Sequence, residues 1–181
     1  MELSALRELP VTDQQTFLLG RIAGETTRMD AALRLLHAAL RGEQDIDAFL
    51  DAPNFFTTNA KECRKLTKEH PAIDDETRSA VLRAVTFAGG HYTRRNRYIH
   101  DMLRRDLLDR SWELARLSRQ DEGSPSSEPV SFDDAVALVT GLVAATWRLR
   151  ACAMYVLNRS WEGIALGEVE GEWDGSANYV R

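Results

Sequence analysis

Thr93-Arg94-Arg95-Asn96-Arg97-Tyr98-Ile99-His100-Asp101 is a basic stretch near the middle of the chain, and its reading decides the fold. Val81, Val85, Ala88, Tyr92, Asn96, Ile99 and Leu103 recur at spacings of three and four, the period of one helix face. The stretch therefore belongs to a central helix from about Glu76 to Leu103, capped by Asp74 and Asp75. Tyr92, Asn96 and His100 follow at intervals of four, so they stand one above another. Asn96 takes a place where the apolar stripe calls for Leu, and a polar group on a packing face needs a partner. Arg95 lies about 140° from His100 around the axis and reaches the same point only through the length of its side chain.

Working outward, Gly89-Gly90 just before the motif marks a kink or a close approach to a neighbouring helix. His91 has no Arg at the motif spacing and reads as a surface or packing residue. Upstream, Thr12 or Asp13 caps a long first helix that runs to Arg41 and is closed by Gly42. Its stripe is Leu18, Ile22, Met29, Leu33, Leu36 and Leu40, interrupted at Glu25 and Thr26. A carboxylate on such a seam demands a cation, and Arg95 is a candidate from another helix, with Asp30 the other acid in reach. For either acid the alternative is a surface or intrahelical ion pair. Asp45 to Leu50 forms a short helical turn. Thr58 or Asn59 opens an outer helix to Glu69 whose face of Lys61, Arg64, Lys65 and Lys68 is either solvated or a phosphate contact.

Downstream, Asp106 to Gln120 leans to extended structure, and Asp121 to Pro129 has the composition of a loop. Ser131, Asp133 and Asp134 start a last long helix to about Arg159, with Phe132, Ala135, Val139, Leu142, Thr146, Leu149, Ala153 and Val156 as its seam. No convincing hairpin and no internal repeat emerge. The expectation is one domain over residues 1–181, an all-α, up-and-down bundle of four to five helices with a core from about 12 to 160. Residues 161–181 form a Gly- and Glu-rich tail that Trp161, Ile164, Leu166, Val169 and Trp173 tack onto the bundle.

Composition narrows the function. Apolar residues at 44% and charged residues at 28% describe a soluble globular chain, and the net charge of −5 excludes a protein that coats nucleic acid nonspecifically. Any such contact must be local, as in His91 to Arg110, where six Arg face three Asp. No leader and no run approaching the ~18 apolar residues of a membrane helix is evident, so a cytoplasmic protein without membrane contact is expected. Cys63 and Cys152 lack metal-ligand spacing and read as buried thiols. No phosphate loop, HExxH or GxSxG occurs.

Arg95-Asn96-Arg97-Tyr98-Ile99-His100 resembles the signature of the HEPN superfamily, helical domains in which Arg, a polar residue, three residues and His mark a metal-independent RNA-cutting site. The resemblance covers the helical core. It implies a homodimer whose two motif helices line one cleft, with Arg95, Asn96 and His100 catalytic. It favours Asp30 as the acid supporting Arg95, whereas periodicity favours Glu25. Arg94, Arg97 and Tyr92 would touch RNA or phosphate. No metal or other cofactor is implied. RNA is the implied substrate, an antitoxin or other protein a further partner, and toxin or defence the implied setting. Two other classes stay open: a noncatalytic HEPN-like module that binds RNA, a nucleotide or a protein, and a structural dimeric bundle in which Arg95 and His100 satisfy buried carboxylates.

Overall fold

The computed structural model describes residues 3–42, 46–100, 102–105, 112–116 and 126–158. The chain folds as a helical bundle. In order, α1 is Leu3–Arg7, α2 Val11–Arg41, α3 Ile46–Leu50, α4 Phe56–Glu69, α5 Asp75–His100 and α6 Phe132–Asn158. Between α5 and α6 run β1 Met102–Arg105, β2 Trp112–Arg116 and β3 Ser126–Pro129. The expected tail lies outside the described residues.

The two long apolar seams meet as their spacing requires. Ile22, Met29, Leu33 and Leu36 of α2 and Leu138, Leu142 and Leu149 of α6 are fully buried, and α2 packs along α6 more extensively than any other pair of elements. α5 adds Val81, Val85 and Ala88 to this core. Truncating any of these Leu side chains to Ala falls in the class that costs about 2–5 kcal/mol. α6 Phe132–Leu157 is long and apolar enough by length and composition to cross a bilayer, although polar and charged residues interrupt it. Here 56% of its most apolar 18-residue window is buried within the bundle, because both α2 and α5 pack on it.

The helix ends follow local chemistry. Gly42 takes a left-handed φ of 76° and its N–H donates to the carbonyls of Ala38 and Ala39, closing α2 as expected. Its start differs: Pro10, not Thr12 or Asp13, stands at the N-cap, since a proline needs no hydrogen-bonded N–H there. Asp74 caps α5 by accepting from the Thr77 N–H at 2.7 Å. That bond holds its carboxyl below the usual range. Ser131 and Asp134 cap α6 reciprocally, the Asp134 N–H donating to Ser131 Oγ at 3.0 Å and the Ser131 N–H to Asp134 Oδ2 at 3.3 Å.

Three expectations are corrected. α5 ends at His100, and Leu103 belongs to β1. β1, β2 and β3 form an antiparallel meander with Leu103 opposite Leu114 and Leu114 opposite Glu128, so hairpins are present and Ser126–Pro129 is a strand. Proline is tolerated there because β3 is an edge strand. α4 starts at Phe56 and is no loose outer helix: Phe56, Asn59, Ala60, Cys63 and Thr67 are buried against α2 and α5.

The close approach implied by Gly89-Gly90 occurs elsewhere. α5 is helical throughout, and it is Gly141 of α6 that admits a neighbour, since a Cβ there would collide with the His91 ring. His91 also meets the Phe87 ring edge-on at 4.5 Å, while Arg148 lies over that same ring, 4.1 Å from its centroid. Burial first, then the Arg94 and Arg148 charges, pushes the His91 imidazole below its ordinary 6.5. The unfolded chain therefore binds a proton near pH 6.5 that the folded chain takes up only at lower pH. Stability should fall as pH drops below about 6.5. His91→Gln should flatten that loss, which melting curves of both proteins at pH 7.5 and 5.5 would show as a smaller drop in Tm.

Candidate functional site

The motif occupies the last turns of α5, where the helix outruns its neighbour α4. α4 and α5 are antiparallel: Arg78 of α5 donates to the carbonyls of Thr67 and Lys68 at the end of α4. At the other end Phe56, the first residue of α4, stacks on Tyr92 with centroids 4.2 Å apart and planes 7° from parallel. Beyond Tyr92 the α5 face carrying Asn96 and His100 has no α4 residue across from it. The stripe read from the sequence therefore leaves the core: Asn96 is half-buried, Ile99 and His100 are exposed, and Tyr98 turns inward instead. Burial raises the Tyr98 phenol above its ordinary value.

Arg95 Nη1 donates to Asn96 Oδ1 at 2.8 Å, and its guanidinium carbon lies 5.6 Å from the Tyr92 ring centroid. Its Nε is buried without a hydrogen-bond partner. The structure thus brings Arg95, Asn96 and Tyr92 together at one place, with His100 one helical turn beyond Asn96 at the exposed end of α5. The Arg95 guanidinium, half-buried and held by Asn96, and the exposed His100 imidazole are the groups at this end of α5 that could meet an anion.

The supporting acids do something else. Glu25 is buried, with 2% of its surface exposed, and its Oε1 accepts from Arg21 and Arg28, each at 2.9 Å. Both cations belong to α2 itself, one turn on either side. Asp30 Oδ2 accepts from Arg34 Nε at 3.2 Å. Among the described residues no carboxylate pairs with Arg95, so the expected link from the first helix is corrected to two pairings within α2. Arg34 in turn donates to the Ala52 carbonyl at 3.3 Å and to Asn54 O and Oδ1, each at 3.4 Å. Asp30 therefore holds the turn that precedes Phe55.

Of the expected phosphate contacts, Arg94 is engaged with Asp134 at 3.2 Å, tying α5 to the start of α6, and Arg97 is half-buried. Hydrogen bonds from Ser131, then the Arg94 charge, keep Asp134 ionised below the usual carboxylate range. Sequence reasoning missed Phe55, which is 77% exposed beside the stacked pair, and the place of Arg64, whose Nη2 lies 3.6 Å from where a Cβ on Gly89 would stand. The Phe55-Phe56 doublet ahead of a helix was the available signal. Cys63 and Cys152 are buried free thiols, each pushed up to about 12 chiefly by desolvation, and cannot act as nucleophiles near neutral pH. Among the described residues no three His, Cys, Asp or Glu gather to hold a metal ion. No family model, curated protein or solved structure matches this chain.

Proposed function

We propose that this chain is a HEPN-type endoribonuclease that cuts RNA by metal-independent transesterification, acting as a homodimer with the ends of two α5 helices side by side. The observation that carries the reading is Arg95: its Nη1 is oriented by Asn96, and among the described residues no carboxylate pairs with it. In the reaction the 2′-oxygen attacks the adjacent phosphorus while the bond from phosphorus to the 5′-oxygen breaks. The 2′-hydroxyl proton passes to a base and the leaving oxygen receives one. An imidazole is the side chain suited to either transfer near neutral pH, and His100 is an exposed one, a helical turn beyond Asn96. Arg95 meets the charge that builds on the nonbridging oxygens, and Asn96 keeps its guanidinium aimed. The products are a 2′,3′-cyclic phosphate and a 5′-hydroxyl.

The structural alternative needs a buried carboxylate for Arg95 to satisfy, and Glu25, the buried one among the described residues, is already paired inside α2. Incubation with a mixed single-stranded RNA pool in EDTA tests the proposal. Cleavage ending in a cyclic phosphate, with RNA lacking the 2′-hydroxyl left whole, is the expected result. A pool that stays intact at micromolar protein overturns it. A cytoplasmic setting and a toxin or defence role go with this reading.

A further inference from the structure

All three lysines of this chain, Lys61, Lys65 and Lys68, sit on α4, although the chain has 23 basic residues in all. Their spacing of four and three puts them on one helix face, and all three are exposed. With Arg64 and Glu69 they line a shallow groove of about 330 Å³. On a chain of net charge −5 this is a local reversal of sign. A lysine ammonium is a mobile point charge that follows phosphates without dictating their geometry.

An aromatic step stands at the start of the same helix. Phe55, the N-cap residue of α4, is the most exposed large apolar side chain among the described residues, at 77%. An exposed Phe is ordinarily unremarkable, but this one is held in place. Phe56 behind it is buried and stacked on Tyr92, and the turn before it is pinned by Arg34, itself oriented by Asp30. Arg64 reaches over Gly89, which lies on the α5 face that continues through Tyr92 and Asn96 to His100. From Tyr92 to His100 is eight residues, about 12 Å along the axis. Basic groove, aromatic step and motif thus follow one another along the antiparallel pair α4 and α5.

We infer that this surface is a binding track for single-stranded RNA, in which Phe55 stacks an unpaired base and the α4 lysines hold the backbone on its way to His100. This deepens the proposed function and rests on it for the choice of RNA. An exposed aromatic at the end of a helix that carries a row of cations favours an unpaired strand, since a duplex keeps its bases stacked on one another. Asp30 is then a positioning residue for the platform.

The test separates binding from cutting by using an uncleavable 2′-O-methyl uridine 20-mer, the same sequence as a duplex, and vesicles rich in phosphatidylserine. Phe55→Ala should weaken binding of the single strand on the order of tenfold, and Phe55→Trp should restore it, as one lost base stack requires. Changing Lys61, Lys65 and Lys68 together to Gln should lower the slope of log affinity against log salt by about 2, the release of counterions from three phosphates. Melting temperatures should stay at the wild-type value, because all four side chains are exposed. Three results overturn the track: wild-type protein that does not bind the single strand, variants that bind it as wild type does, or equal affinity for the duplex. Vesicle binding without oligonucleotide binding overturns it in favour of a lipid surface. Wild-type binding of the 20-mer that responds to these variants, with no cleavage of ordinary RNA, leaves the track standing and removes the nuclease reading.

Discussion

Replacing His100 with Ala is expected to abolish RNA cleavage while leaving the melting temperature within a degree or two of wild type. His100 is exposed at the end of α5 and has no hydrogen bond or ion pair among the described residues, so its removal opens no cavity and orphans no partner. Arg95→Ala should slow cleavage on the order of 10²–10³-fold, the usual cost of losing one preorganised donor to a developing anion. Its effect on stability should be small, since the one hydrogen bond it gives up is to its neighbour Asn96. Asn96→Ala should reduce the rate less than Arg95→Ala, because it removes the orienting acceptor and leaves the guanidinium in place. The reading in which the motif is a structural network predicts the reverse: intact RNA with wild-type protein, and both single variants melting many degrees lower. That second pattern would falsify the nuclease assignment.

How far the residues themselves revealed this arrangement depends on what each part of the fold is made of. The seams of α2 and α6 are written in Leu, Ile, Val and Ala at helical spacing, and Leu33, Leu36, Leu142 and Leu149 are buried as that spacing requires. Gly42 and the pair Ser131 and Asp134 were equally legible, because a left-handed cap and a capping box are local devices. β3 was hidden: Ser126-Ser127-Glu128-Pro129 has no apolar alternation, and its pairing with β2 is a backbone matter that composition does not encode. α4 reads as an outer helix because part of its buried face is polar, with Asn59 and Thr67 fully buried. The α5 stripe stops short of the length its spacing predicts. It holds through Val81, Val85 and Ala88, after which α4 ends and Tyr98 rather than Ile99 turns inward. Gly89-Gly90 looked like the contact, while Gly141 had nothing in its own neighbourhood to announce that His91 would fill the place of its side chain. In the candidate site, Arg95 and Asn96 meet as a consequence of adjacency, but Phe56 against Tyr92 joins residues far apart in sequence.

Glu25 shows the same contrast in energetic terms and yields the largest expected change in stability. Its side chain is 3% exposed, whereas those of Arg21 and Arg28 are 41% and 55% exposed. Either arginine alone therefore contributes little: removing one leaves the carboxylate with the other, and a half-exposed ion pair is worth about 0–1 kcal/mol. Removing both is different in kind. Arg21→Ala with Arg28→Ala leaves a buried carboxylate with neither of its partners, the situation that costs about 3–5 kcal/mol. Chemical denaturation should show the double variant losing far more than the sum of the two single losses, a coupling that distant, independent sites do not produce. Adding Glu25→Leu to the double variant should recover most of the loss, because the position faces an apolar seam between Ile22 and Met29 and no charge then remains to be solvated. If Arg95 were the true partner of Glu25, the double variant would be only mildly destabilised and Arg95→Ala would carry the large effect instead. The single, double and triple variants and Arg95→Ala, measured by urea denaturation at pH 7, decide between the two pairings without any assay of activity.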